Sequence, residues 1–270
     1  MRAWLTIVGL IGALTVPGPA RSDSAAVFMY HRFGEAQYPS TNVRMDDFQV
    51  QLALLQEEGF QVIPLARLLA WLRGQGTLPE NAVVLTVDDA YASIYDEAWP
   101  ELRRAGLPFT VFVATDAVDA GLPGYLNWSQ LEEMARAGVT FANHGAAHTH
   151  LIASLPGERP DTHRGRVRAD LLKGQARLLE QLAPGGGVLE DVFAYPFGEY
   201  DTLVAGVIDE LGWLAFGQQS GPVGALSEPL ALPRFPVSEA YSDLAEFRTK
   251  ARSLPLAVER VEPWDPVVSS

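Results

Sequence analysis

The chain has 270 residues, 48% of them hydrophobic, and a formal net charge of -13 from 33 Asp and Glu against 20 Lys and Arg. That length and apolar content suffice for a sizeable buried core. The acidic balance excludes nucleic acid as an expected partner, because phosphate binding needs clustered Lys and Arg, and the absence of cysteine leaves stability to packing alone.

In chain order, Arg2 gives a positive start, an apolar run follows from Ala3 to Val16, and Gly18 and Ala20 come after a proline. This is the order of a secretory signal peptide, and the run is shorter than the roughly 20 residues a membrane span needs. Residues 1–20 are therefore expected to be a signal peptide. Residues 21–270 are expected to form one exported domain, periplasmic or extracellular, with no stable membrane span once the signal is removed.

Beyond it, apolar runs alternate with helical spacing. Residues 26–30 (AVFMY) predict a buried strand. Residues 45–60 place Phe48, Leu52 and Leu55 on one helical face, with Asp46 as N-cap and Gly59 as the stop. A short strand over 60–65, a helix over 66–74 and a β-branched strand over 82–87 follow. Residues 92–105 look helical, with Pro100 marking a kink or a fresh start. Strands at 109–114 and 139–142 flank a helix over 128–138, where Ser129 and Glu132 have capping-box spacing. Residues 154–168 are polar and read as an exposed loop, so His163 within it receives no role. A long helix runs from about 164 to 182, then a strand at 191–195, a helix at 203–211, a strand at 213–217, a helix at 241–253 and a last strand at 256–261.

Strand alternating with helix implies an α/β fold with a mainly parallel sheet and helices outside. The strands are apolar on both faces, as buried parallel strands are. About seven such units suggest a closed or nearly closed barrel, with a doubly wound open sheet as the alternative.

The polar residues then fall in a pattern. His31 follows one strand, Asp88 and Asp89 a second, Asn143 and His144 a third, and Tyr195 and Pro196 a fourth. In a parallel barrel these strand ends share one mouth, where loops carry chemistry. His144 and His148, four residues apart, can face one ion if the segment turns. An EF-hand loop is excluded, because the alternating Asp pattern and central Gly are missing. Two imidazoles and one carboxylate make the three-ligand set of a catalytic zinc-type site. Beside a cation, one Asp can ligate while its neighbour stays off the ion as a proton acceptor. Aromatics near the mouth include Tyr30, Tyr91, Tyr125, Trp128, Tyr195 and Phe197.

Three stretches resemble one family. LTVDDAYASIYDEAWPELRRAGLPFTVFVAT (85–115) is similar to the first motif of the polysaccharide deacetylases of carbohydrate esterase family 4, usually Thr-Phe-Asp-Asp-Gly. NHGAAHTHL (143–151) resembles their His-(Ser/Thr)-x-x-His motif, and FAYPFGEY (193–200) their aromatic-Pro-aromatic-Gly turn. The likeness runs from about Val27 to Val237. It implies a distorted (β/α) barrel, usually of seven strands, and metal-dependent removal of N-acetyl groups from an acetylated amino-sugar glycan. By motif position Asp88 is the base, and Asp89, His144 and His148 are the metal ligands, with His150 competing. Tyr195, Pro196 and Phe197 form the substrate or oxyanion turn. Many members take their acid from a Leu-x-His motif near the C-terminus, but no His follows His163. MYHRF (29–33) looks like the early Tyr-His of a subgroup acting on exported poly-N-acetylglucosamine, which makes His31 the candidate acid.

The chain also departs from the family pattern. Val87, Ala90 and Gly145 replace the usual Phe, Gly and Ser or Thr, and Ala194 stands where many members carry an Arg that orients the base. Arg234 is the candidate to supply that charge from a later strand. One divalent ion is expected; Zn2+ is favoured by the ligand set, and Co2+ or Ni2+ could occupy it. The alternatives are an O-acetyl carbohydrate esterase, a phosphoesterase with only Arg32 and Arg234 as clamps, and a non-catalytic carbohydrate-binding descendant.

Overall fold

The computed structural model describes residues 21–252; the expected signal peptide at 1–20 and the expected strand at 256–261 lie outside the described residues. Nine strands belong to one sheet. They are β1 Ser24–Tyr30, β2 Gln61–Val62, β3 Ala82–Asp88, β4 Thr110–Val113, β5 Thr140–Asn143, β6 Val188–Ala194, β7 Leu214–Phe216, β8 Val223–Gly224 and β9 Phe235–Pro236. The path is β7-β6-β5-β4-β3-β1-β8, with β9 also on β1 and β2 also on β3. Every ladder is parallel except β8 on β1. This seven-strand path is the mainly parallel, curled α/β sheet expected from the alternating pattern.

Among the described residues, no continuous ladder joins β7 back to β1. The chain from 229 to 236 spans that gap instead. Ala215 N–H donates to Pro229 O, Leu232 bridges Phe216, and Arg234 N–H donates to Gln219 O. Phe235 and Pro236 then lie opposite Phe28 and Met29. The result is a distorted barrel with one loosely held stave.

Alternation along each strand decides which side chains enter the barrel. Val27, Val84, Phe112, Ala142, Val192, Ala194 and Phe216 share a cluster with Leu232. Their neighbours Phe28, Tyr30, Val83, Leu85, Val87, Val111 and Phe141 face the helices. That outer layer holds α1 (Met45–Glu57), α3 (Trp99–Ala105), α5 (Trp128–Arg136) and α8 (Leu244–Ala251). Leu65, Leu68 and Leu69 of α2 (Leu65–Leu72) join the inner cluster beside Ala25 and Ala82, at the strand starts.

Several local expectations are corrected. α1 starts at Met45 with Arg44 as its N-cap and no side-chain cap; Asp46 lies in the first turn, where its charge meets the positive end of the helix. The capping box of α5 is Asn127 with Gln130, not Ser129 with Glu132. Residues 94–98 form a wide π turn, and of the two readings of Pro100 the fresh start holds, since it sits in the first turn of α3 and does not kink it. The supposed loop at 154–168 is helical from residue 160, where α6 (Pro160–Leu182) begins with proline in its first turn. His163 is therefore not exposed: it is buried with Val167 and Leu171 on the inner face of α6, and its Nε2 lies 2.6 Å from Leu151 O. The polar composition that suggested a loop belongs to the outer face of that helix.

Phe247 of α8 stacks on Phe28 with ring centroids 4.2 Å apart. Phe247→Ala is expected to cost about 3–5 kcal/mol in urea unfolding, the usual range for emptying a buried aromatic site. A loss below about 1 kcal/mol would separate α8 from the cooperative core.

Candidate metal centre

On β3 the inward positions are Val84, Thr86 and then Asp88, so strand period alone carries Asp88 into the barrel. A lone carboxylate there would be prohibitively desolvated. Arg234, on the loose stave, supplies the counter-charge: Nη1 donates to Asp88 Oδ1 and Nη2 to Oδ2, both at 2.8 Å. Both residues are 0% exposed. Arg234 Nε donates to Gly217 O at 3.1 Å and Nη1 also to Thr86 Oγ1 at 3.3 Å, while the guanidinium lies 5.4 Å from the Phe112 ring centroid. Burial pushes the Asp88 carboxyl up, but the attraction of Arg234 and His144 outweighs it and holds the group below its usual 3.8.

Continued alternation would send residue 89 outward. Instead Asp89 (φ 76) and Ala90 (φ 60) take left-handed conformations that turn the chain over the mouth. Ala90 in place of glycine costs about 1 kcal/mol in such a conformation, and Leu126 N–H donating to Ala90 O at 2.9 Å helps hold the turn.

His144 follows β5. Its Nδ1 lies 2.8 Å from Ala194 O, which fixes the proton on Nδ1 in the neutral ring and leaves Nε2 as a lone pair. That Nε2 is 3.3 Å from Asp89 Oδ1, and His148 Nε2 is 3.0 Å from the same oxygen. One ligand atom from each of Asp89, His144 and His148 lies within 4.8 Å of the others. Yet Asp89 Oδ1 is buried with no hydrogen bond of acceptable geometry. The imidazoles are close to it without aiming an N–H at it, as donors converging on a shared cation are arranged. These residues fit a divalent ion by position, by donor type and by this orphaned oxygen.

Burial raises the Asp89 carboxyl, but His144 and His148 together hold it well below 3.8. Burial lowers the His144 imidazole, and Asp89 and Asp88 overcome that to raise it above 6.5. His31 is shifted the other way: burial lowers it, only partly opposed by Asp88 and Asp89.

Since Tyr30 lies opposite Val87, His31 and Asp88 leave the sheet at one level. His31 lines a cleft of about 550 Å³ with Asp89, His144, His148, Tyr91 and Phe197. Of the expected turn residues, only Phe197 reaches this cleft. Tyr195 is corrected: Val192 and Ala194 point inward, so Tyr195 points outward, is buried against Tyr200, and spends its hydroxyl on Leu230 O at 2.9 Å. Pro196 is buried beneath the turn. His150 stands outside the ligand cluster; its Nδ1 pairs with Glu199 at 2.8 Å and its ring stacks on Phe197 at 4.1 Å. Tyr30 is likewise buried, donating to Gln51 Oε1, and Trp128 donates to Asp119. Sequence reading missed Gln218 and Tyr241 on the cleft wall, and Asp170 behind the His144–His148 loop.

A model of the polysaccharide deacetylase family matches residues 75–216. The chain is 29% identical over 240 residues to the poly-β-1,6-N-acetyl-D-glucosamine N-deacetylase of Escherichia coli K12, covering 76% of this chain but only 35% of that protein. The Staphylococcus aureus protein of the same name (strain MSSA476) is 22% identical, with 81% of this chain and 80% of that one covered. Among solved structures, the Streptococcus pyogenes deacetylase PplD superposes with a TM-score of 0.70 at 23% identity, covering 83% of this chain and 95% of that one. IcaB from Ammonifex degensii gives 0.68 at 22% identity, covering 87% and 100%. Both structures share the fold. The chain belongs to the polysaccharide deacetylase family.

The Asp88–Arg234 pair generates a stability prediction. Because the folded Asp88 lies below its unfolded 3.8, the pair stabilises the fold fully above that value, and the contribution is lost as pH falls through the lower folded pKa. Arg234→Met strands a buried carboxylate, so about 3–5 kcal/mol should be lost at pH 7. That deficit should shrink as the pH is lowered and Asp88 takes up a proton. Denaturant unfolding at several pH values measures both; a deficit that does not change with pH would contradict the assignment.

Proposed function

We propose that this chain is a metal-dependent N-deacetylase of an exported amino-sugar polysaccharide. The observation that carries the reading is the approach of the His144 and His148 imidazoles to one buried oxygen of Asp89, beside an ionised Asp88. The relatives named for poly-β-1,6-N-acetyl-D-glucosamine support that polymer class. MYHRF supports the Tyr-His subgroup, because His31 lines the same cleft. The apolar segment at 3–16 supports export, and no helix among the described residues is long and apolar enough to cross a membrane.

Asp89, His144 and His148 would hold the ion, with Zn2+ favoured over Co2+ or Ni2+ for this donor set. When bound, such an ion supplies Lewis-acid polarisation of the acetyl carbonyl and acidifies water. Asp88 takes the proton of the attacking water. Each Asp88 oxygen accepts one bond from Arg234 and keeps a second lone pair for that water. Arg234 thereby orients the base and keeps it ionised at neutral pH. The backbone N–H of Phe197 helps stabilise the tetrahedral oxyanion. His31 delivers a proton to the amine nitrogen as the C–N bond breaks, because an amine anion cannot leave near neutral pH. Phe197 is 45% exposed and Tyr241 48%; these rings offer faces on which sugar units can stack.

Acetate release from N-acetylglucosamine oligomers is expected, abolished by chelation and restored by zinc. Asp88→Asn should lower the rate by about 10²–10⁴-fold. His31→Ala should do the same for the amide, yet far less for an aryl acetate whose phenolate leaves without a proton. Acetate released from O-acetylated glycans but not from N-acetylated ones would refute the amide assignment, as would full activity in the metal-free protein.

A further inference from the structure

The two imidazoles close the ends of a five-residue loop, His144 to His148, and two of its residues are left-handed: Gly145 (φ 78) and His148 (φ 49). Such a loop does not hold its shape by local preference. Its backbone groups are instead tied from outside. Gly145 N–H donates to Asn143 Oδ1 at 2.8 Å. Ala146 N–H donates to Asp170 Oδ2 at 3.1 Å, and Ala147 N–H to Asp170 Oδ1 at 3.0 Å. On the carbonyl side, Ala146 O accepts from Asp116 N–H at 2.9 Å, at the start of α4 (Thr115–Asp119).

Asp170 lies on α6, more than twenty residues beyond the loop. Arg166 and Lys173, the cations one turn to either side of it, are engaged by Glu158 and Asp116. This leaves the Asp170 carboxylate facing the two amides. The helix can come this close because Gly174, one turn further on, has no side chain. A Cβ there would lie 2.9 Å from Asn143 Oδ1 and 3.1 Å from the Gly145 carbonyl carbon. Asn143 Nδ2 in turn donates to Leu171 O at 2.8 Å.

Gly145 is also the position where the related motif usually carries Ser or Thr. A Cβ at Gly145 would meet Asp170 Oδ2 at 2.8 Å. A side chain at 145 and the carboxylate at 170 therefore exclude one another as this loop is built.

We infer that Asp170 is a positioning residue: from α6 it fastens the loop that sets the spacing of His144 and His148, and Gly145 is the residue that makes room for it. This rests on the metal reading of the preceding section. The consequence is a preorganised ion site whose affinity depends on a carboxylate that does not itself touch the ion.

The test is zinc affinity, measured by titrating zinc alone into the metal-stripped full chain against a fluorescent chelator. Asp170→Ala should weaken zinc by about 10–100-fold, the usual cost of removing an outer partner of a metal site. Its circular dichroism and metal-free melting temperature should stay close to the parent's. Asp170→Asn, nearly isosteric and therefore safe for folding, should weaken zinc by a smaller factor, because its single carbonyl oxygen still accepts one of the two amides. Gly145→Ser should weaken zinc in the parent and weaken it by a smaller factor on top of Asp170→Ala, since the clash with Asp170 is then gone and only the strain of a side chain at φ 78 remains. Parent-like zinc affinity in both Asp170 variants would overturn the inference, as would strictly additive effects of Gly145→Ser and Asp170→Ala. A parent that binds no zinc would overturn the metal reading itself, and that outcome is visible before any variant is compared.

Discussion

A buried ion pair at the centre of the barrel constrains everything around it. Asp88 and Arg234 are both fully buried, and neither could occupy its place without the other. The two arrive by different routes. Strand period delivers Asp88, while Arg234 comes from the irregular stave that spans β7 and β1. The least regular part of the ring thus carries the charge that lets the most regular part end in a carboxylate. Such a pair is poor evidence for net stability, since its desolvation offsets much of the attraction. What it does achieve is orientation: the guanidinium is fixed by the four hydrogen bonds it donates, and two of these, parallel, fix the carboxylate plane.

Much of this was legible because ligands sit at strand ends and strands have period two. Met29 and His31, Thr86 and Asp88, Ala142 and His144 each share an inward face, and the expected sheet follows from the same apolar runs. The same rule, applied to Val192 and Ala194, already sends Tyr195 outward; grouping it with Pro196 and Phe197 as one turn hid that. The choice between His148 and His150 was not legible, because it depends on left-handed residues at 145 and 148 that reverse the loop. The helical character of 160–168 was masked by polar residues on its solvent face, although His163, Val167 and Leu171 recur at helical spacing. Asp170 gave no sequence signal at all: a carboxylate on the face of a long helix becomes meaningful only once tertiary packing brings α6 against the loop.

Two of the departures from the family pattern, Ala194 and Gly145, make sense beside a second residue. Ala194 is a small residue in the inner cluster with Phe112 and Phe216, the two rings beside which the Arg234 guanidinium lies; a second guanidinium in that interior would repel the first. Its carbonyl still serves, fixing the tautomer of His144. Gly145 leaves space for Asp170. Ala90 and Val87 have no such partner: the Ala90 methyl group at φ 60 gains nothing visible and is held by its neighbours, and Val87 packs in the outer cluster.

Charge counting links these arrangements to the proposed chemistry. Asp88 and Asp89 against Arg234, with the imidazoles counted in the neutral form that ligates a metal, leave the buried cluster one charge negative. That sign favours a cation at Asp89 Oδ1, which is buried without a hydrogen bond. A divalent ion there would leave the cluster one charge positive, facing a neutral glycan whose acetyl oxygen gains negative charge on attack. Arg234 is essential to this balance. Without it the same ion would only neutralise two carboxylates, and the cluster would carry no net positive charge to meet a developing oxyanion.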